Sequence, residues 1–118
     1  MAKRKILIID DEEDQCMIIR NFFQNKQYEV SMALTLKSGI DSLRSNEPDI
    51  LLLDNNLPDG KGWDAIDSIV EEFPSLKVHL ISAYHQKSNV LPAHENVRVW
   101  EKPISLNNLA KTFLEQLA

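Results

Sequence analysis

Two kinds of segment alternate along the chain. The first kind is short and apolar. Ile6-Leu7-Ile8-Ile9 and Ile50-Leu51-Leu52-Leu53 are unbroken runs, the pattern of strands covered on both faces. Lys77-Val78-His79-Leu80-Ile81 and Val97-Arg98-Val99-Trp100 are rich in β-forming residues but more mixed. Tyr28-Glu29-Val30-Ser31-Met32 alternates strictly, which predicts a more exposed strand. The second kind repeats every three or four residues, as an amphipathic helix does. It includes Cys16, Ile19, Phe22 and Phe23, then Leu36, Ile40 and Leu43. Trp63, Ile66, Ile69, Val70 and Phe73 form a third set, and Leu106, Leu109, Phe113, Leu114 and Leu117 a fourth. Ser105, after Pro103, is placed to cap the last helix. From Tyr84 to Asn96 the pattern fails. Pro92 and the short apolar pair Val90-Leu91 predict a helix there that is short or irregular.

The order β-α-β-α-β-α-β-(weak α)-β-α predicts an α/β fold, a parallel sheet with helices on both faces. Right-handed crossovers leave few topologies, and the strand order 2-1-3-4-5 is among the common ones. A length of 118 residues suits one domain, spanning 1–118. In such sheets ligands bind beyond the carboxyl ends of the strands. The residues just past each strand are therefore the place to look for chemistry.

The first strand ends in Asp10-Asp11 and the third in Asp54. Three carboxylates meeting at one sheet edge repel one another unless a cation joins them. Oxygen-rich clusters of this kind suit Mg²⁺. The fourth strand ends in Ser82 and the fifth in Lys102-Pro103. Each residue has a plainer reading. Asp10 and Asp11 would cap the first helix, Ser82 would sit in a turn, and Lys102 would make an ordinary ion pair. Capping does not account for Asp54, which comes after four apolar residues and precedes no helix start. Taken together, the set suits phosphoryl transfer. A cation would neutralise the phosphoryl group, Lys102 and Ser82 would bind its oxygens, and Asp54 would be the in-line nucleophile. The X-Pro bond after Lys102 can be cis and so fix the direction of the lysine.

These motifs, Lys5-Ile6-Leu7-Ile8-Ile9-Asp10-Asp11-Glu12, Leu51-Leu52-Leu53-Asp54-Asn55-Asn56-Leu57-Pro58-Asp59-Gly60, Ile81-Ser82-Ala83 and Glu101-Lys102-Pro103-Ile104, resemble the receiver domains of two-component response regulators. The resemblance covers essentially the whole chain. It implies a flavodoxin-like (βα)₅ fold with a five-stranded parallel sheet of order 2-1-3-4-5. It implies phosphotransfer to Asp54 from a phosphohistidine on a sensor histidine kinase or phosphotransfer protein. It implies that Asp11 and Asp54 ligate Mg²⁺ directly, Asp10 through a water, and Asn56 through its backbone carbonyl. Ser82 and Lys102 would hold the phosphoryl group, and hydrolysis of the acyl phosphate would reset the switch. A downstream effector protein or domain would read the state, and dimerisation on phosphorylation is common in the family. Such a domain catalyses its own phosphorylation and dephosphorylation and is not a turnover enzyme.

The chain departs from the family in one region. An aromatic residue usually stands three before the fifth-strand lysine, and here it is Val99. Trp100 is adjacent, but neighbouring strand residues point to opposite faces, so it reads as a packing residue and not as a substitute. With the weak segment before it, this predicts an altered output face or a coupling other than the hydroxyl–aromatic one. Asn56 and Tyr84 would flank the phosphoryl group, and a bulky Tyr84 would hinder the attacking water. His79 reads as a packed or edge residue, and His85 and His94 as solvated. Their spacing fits no zinc motif. Cys16 reads as core, and Lys61 and Asp64 as solvated charges.

Charge and composition narrow the alternatives. A net charge of −5 disfavours direct nucleic-acid binding, since Lys3-Arg4-Lys5 is too short a basic stripe. No apolar run approaches the roughly 20 residues of a membrane span, and Cys16 alone permits no internal disulfide. A cytoplasmic setting is expected. An aspartyl-phosphate phosphatase of the haloacid dehalogenase kind would resemble Asp-x-Asp-x-Thr, but Asn56 stands at the third position. A nucleotide-binding domain would place a glycine-rich loop after its first strand, where this chain has carboxylates. A receiver-like module that binds partners without phosphorylation would be expected to lose an acid, Ser82 or Lys102, and none is lost. No effector domain comes after the last helix, which fits a stand-alone receiver and a piece of a longer regulator alike.

Overall fold

The computed structural model describes residues 3–83 and 96–117. Strands β1 (Lys5–Ile9), β2 (Glu29–Ala33) and β3 (Ile50–Asp54) alternate with helices α1 (Glu13–Gln24) and α2 (Leu36–Asn46). A small hairpin, β4 (Asn56–Leu57) and β5 (Gly60–Lys61), then leads into α3 (Gly62–Glu72). Strands β6 (Lys77–Ser82) and β7 (Val97–Glu101) and helix α4 (Leu106–Leu117) complete the fold. The main sheet has five strands in the order β2-β1-β3-β6-β7, and every pairing in it is parallel. With β6 and β7 as its fourth and fifth strands, this is the expected 2-1-3-4-5 sheet. The weak segment, with Tyr84, His85, Pro92 and His94, lies in 84–95, outside the described residues.

The unbroken apolar runs take the centre because both faces there are covered. Every residue of β3 is buried, and so are Ile6 to Ile9 of β1. Alternation along each strand divides them between two cores. Ile6, Ile8, Ile50 and Leu52 pack with Cys16, Ile19 and Phe23 of α1 and Leu109 and Phe113 of α4. Leu7, Ile9, Leu51 and Leu53 pack with Leu43 of α2 and Ile66 and Ile69 of α3. The first core is aromatic at its centre, where the rings of Phe23 and Phe113 lie 5.0 Å apart and Tyr28 meets Phe23 edge-on. Cys16 is fully buried there. Its thiol lies 3.4 Å from the Asp10 carbonyl oxygen.

Local chemistry sets the helix boundaries. Thr35 and Ser38 form a capping box at the start of α2, which satisfies two of the donors a helix start leaves open. Ser105 Oγ accepts the Asn108 N–H at 3.2 Å, so the expected cap of the last helix is present. Gly62 opens α3 where a Cβ would stand 2.7 Å from the backbone oxygen of Asp54. Only a residue without a side chain lets that helix start so near the end of β3.

Candidate functional site

The register of the sheet assembles the site. Ile9 pairs with Leu53 across β1 and β3, so the next residues, Asp10 and Asp54, land side by side. Both are 5% exposed, while Asp11 is exposed. Carboxylate oxygens of Asp10, Asp11 and Asp54 lie within 4.8 Å of one another. On the other side, Ile81 pairs with Asp54 and Ser82 with Glu101. The Lys102 N–H then donates to the Ser82 carbonyl at 2.8 Å, and the Lys102–Pro103 peptide is cis. The side chain of Lys102 places Nζ 3.1 Å from Asp54 Oδ1.

The helix-capping reading of Asp10 and Asp11 does not hold. Glu12, not Asp10 or Asp11, occupies the N-cap of α1, and no side chain caps that helix. Asp10 Oδ1 instead accepts the Glu12 N–H at 2.9 Å, which turns the chain while keeping the carboxylate at the sheet edge. Lys102 does make an ion pair, but its partner is the buried Asp54. The sequence-predicted residues Asp10, Asp11, Asp54 and Lys102 are therefore in one place. Ser82 stands at the adjacent strand end, and Asn56 comes after Asp54 at the start of the hairpin.

Burial and charge pull the site in opposite directions. Burial pushes the Asp54 carboxyl above its ordinary range, against the hydrogen bond and charge of Lys102 and the Asn56 N–H. Burial likewise pushes Asp10 up, and the charge of Asp54 adds to it. For Lys102, burial acts downward, but the hydrogen bond to Asp54 and the charges of Asp54, Asp10 and Glu12 outweigh it and the net shift is upward. In a simple ion pair the acid would go down while the base goes up. Here the acid goes up, because burial outweighs what Lys102 and the Asn56 N–H supply, and the charge of Asp11 adds a smaller push. The site has more negative charge than it can neutralise alone. An oxygen-only donor set with that surplus fits a hard divalent cation such as Mg²⁺.

Several residues that frame the site show no role of their own in the sequence. Asn55 anchors the loop, its N–H bonded to the Ile81 carbonyl at 2.9 Å and its Oδ1 accepting the Trp63 N–H at 2.9 Å. Lys61, expected as a solvated charge, donates to Asn56 Oδ1 at 2.7 Å across the hairpin. Asp59 accepts from the Leu36 and Lys37 N–H groups at 2.8 and 2.9 Å, so the loop after β3 caps the start of α2. The run Pro58-Asp59-Gly60 has the composition of a turn, but nothing near it in sequence announces α2 as its partner. A cavity of about 390 Å³ opens beside the carboxylates, lined by Asp10, Glu12, Gln15, Ile81, Lys102 and Ile104 among others.

The sequence from residue 6 to 113 matches the response regulator receiver domain. The chain belongs to that family. Receiver domains of this kind serve two-component signal transduction. The chemotaxis protein CheY of Thermotoga maritima is 31% identical over 94 residues, covering 79% of this chain and 78% of its own length. The uncharacterized transcriptional regulatory protein YhcZ of Bacillus subtilis is 28% identical over 92 residues, 75% of this chain. This match spans 42% of YhcZ, and a similar match spans 21% of the Pseudomonas aeruginosa response regulator PilR. Among solved structures, a CheY-like receiver domain from Methanospirillum hungatei superposes with a TM-score of 0.89 at 24% identity, covering 98% of this chain and 94% of that one. The beryllofluoride-activated NtrC4 receiver domain dimer gives 0.84 at 24% identity, covering 95% and 94%. Among the described residues, no helix is long and apolar enough to cross a membrane.

Proposed function

We propose that residues 1–118 form one receiver domain that accepts a phosphoryl group on Asp54 and passes that state to a partner. The observation that supports this most is the buried Asp54 carboxylate, set between Asp10 and Asp11 on one side and Lys102 Nζ at 3.1 Å on the other. Asp10, Asp11, Asp54 and the backbone carbonyl of Asn56 would hold Mg²⁺. When bound, the ion supplies charge neutralisation for the phosphoryl oxygens.

The residues of the chain would do the rest. An Asp54 oxygen attacks phosphorus, a P–O bond forms, and the P–N bond of a donor phosphohistidine breaks, leaving its electron pair on the histidine. Lys102 moves its ion pair from the carboxylate to the arriving oxygens, and Ser82 offers a hydroxyl to another. Water attack later breaks the P–O bond, restores the carboxylate and releases inorganic phosphate. Asn56, tethered through its side chain to Lys61, bounds the approach of that water. The upstream partner is a sensor histidine kinase or phosphotransfer protein. The downstream partner is an effector protein or domain, and a homodimer formed on phosphorylation is one output to examine.

Intact-protein mass spectrometry after incubation with acetyl phosphate tests this reading, with and without Mg²⁺ and beside Asp54→Asn. One phosphoryl adduct is expected on the wild type, in Mg²⁺ only, with none on Asp54→Asn. No adduct, together with no beryllofluoride complex, would leave a module that binds without phosphorylation.

A further inference from the structure

A buried histidine lies on the same sheet face as the site and takes no part in phosphoryl transfer. His79, in the middle of β6, is fully buried. Trp100 Nε1 donates to its Nδ1 at 2.9 Å. An indole N–H can only donate, so Nδ1 carries no proton and Nε2 does. Nε2 in turn lies 2.8 Å from Gln116 Oε1 on α4. The ring packs edge-on against Phe113, with centroids 4.9 Å apart. A charged imidazole would point an N–H at the N–H of Trp100. Burial, and to a lesser degree the charge of Arg98 on β7, also hold the ring neutral, with its pKa pushed down to about 4 against the hydrogen bond to Gln116.

This polar chain starts close to the acceptor. Lys102 and Trp100 are two residues apart near the end of β7, a spacing that keeps their side chains on one face, about 7 Å apart along a strand. Asp54, Ile81 and His79 share that face, which is the one packed on α1 and α4. β7 is an edge strand held by β6 alone, so it can shift with less resistance than β3. Val99 lies on the opposite face with Leu80 and Val97.

We propose that Trp100, His79 and Gln116 relay the phosphoryl state of Asp54 to α4, making the last helix the element that responds. The proposal rests on Asp54 being the acceptor. When Lys102 moves with the new oxygens, β7 shifts, Trp100 moves against His79, and the directional bond to Gln116 is re-aimed. Hydrogen bonds of this kind depend on distance and alignment, so a displacement of Trp100 is passed to His79 and on to Gln116.

The test uses the full chain with Mg²⁺, with and without beryllofluoride. It reads the Trp100 indole Nε1–H resonance (assigned with Trp100→Phe), the Asn56 amide resonance, and hydrogen exchange along α4. In the wild type, beryllofluoride is expected to move both resonances and to change α4 exchange by roughly threefold or more, the low end of what coupled networks carry. In Gln116→Leu, a change near the surface that leaves the core intact, the indole should still move while α4 no longer responds. His79→Phe should also silence α4. The relay is overturned if α4 responds equally in wild type and Gln116→Leu, or if the indole stays still while the Asn56 amide moves. If no site resonance moves at all, the acceptor reading fails, and the relay falls with it.

Discussion

The two faces of the sheet are built differently. The face under α2 and α3 is aliphatic at its buried centre, where Leu7, Ile9, Leu51, Leu53, Val78 and Leu80 fill it, and Trp63 and Phe73 pack only partly buried at its margin. Its specific polar contacts lie at the rim, where Asp59 caps α2 and Arg44 pairs with Glu72 at 2.8 Å. The face under α1 and α4 is aromatic and carries His79, Trp100 and Gln116 within it. An aliphatic core is tolerant of small shifts, because dispersion and burial have no direction. A core that contains hydrogen bonds is not, since a buried group that loses its partner costs about 1–3 kcal/mol. One face thus serves as a floor, and the other can register what happens at Asp54.

Substitutions sharpen that contrast, starting with the largest expected effect. Phe113→Ala should cost about 3–5 kcal/mol of unfolding free energy, and Leu80→Ala on the other face about 2–5 kcal/mol. Urea titration of each measures this. Equal costs together with equal broadening of the transition would mean that the aromatic face is no more specific than the aliphatic one.

The pH dependence separates the faces more sharply. His79 has its pKa pushed down to about 4 by burial, while in the unfolded chain it titrates near pH ~6.5. Between those values the unfolded state binds a proton that the native state refuses. The stabilising contribution is complete above pH ~6.5 and is lost as the pH falls toward 4, by on the order of 3 kcal/mol. Asp10 and Asp54, pushed up by burial, act in the opposite sense, because the native state then binds the extra protons. The informative pair is therefore wild type and His79→Phe across this pH range. Only the wild type should carry the histidine slope, and parallel curves would remove the assignment.

Smaller effects belong to the rim. Asp59→Ala leaves the Leu36 and Lys37 N–H groups without their carboxylate, so α2 should fray first, seen as faster hydrogen exchange in its opening turn. The loss in overall stability should be well below that of Phe113→Ala. Glu72→Gln, which weakens an exposed pair with Arg44, should leave the urea midpoint unchanged within error.

The sheet is readable in the sequence because its central strands are covered on both sides, which forces four apolar residues in a row in β1 and β3. The helices are readable from their spacing, and the acids and lysine from their place after strands. The hairpin Asn56–Lys61 is not, since two-residue strands are too short to show any period. His79 looks like an ordinary strand residue. What makes it special is bonding to Trp100 and Gln116, partners 21 and 37 positions away that only the folded sheet brings together. Asp59 hides its role in the same way, its partners lying 23 and 22 positions earlier. Trp100 is the packing residue that strand parity predicts, but its indole N–H has a bonding role that parity alone cannot show.

Cys16 makes these questions easier to approach at the bench. Its thiol is fully buried, and burial together with the surrounding acids pushes its pKa up to about 12, so the folded protein should ignore maleimides as if it held no cysteine. A fluorophore can then be attached at an introduced surface cysteine on α4 without first removing the native one. Conversely, the slow reaction of Cys16 itself becomes a clock for the opening of the α1 face, read in the same tube with and without the phosphoryl mimic.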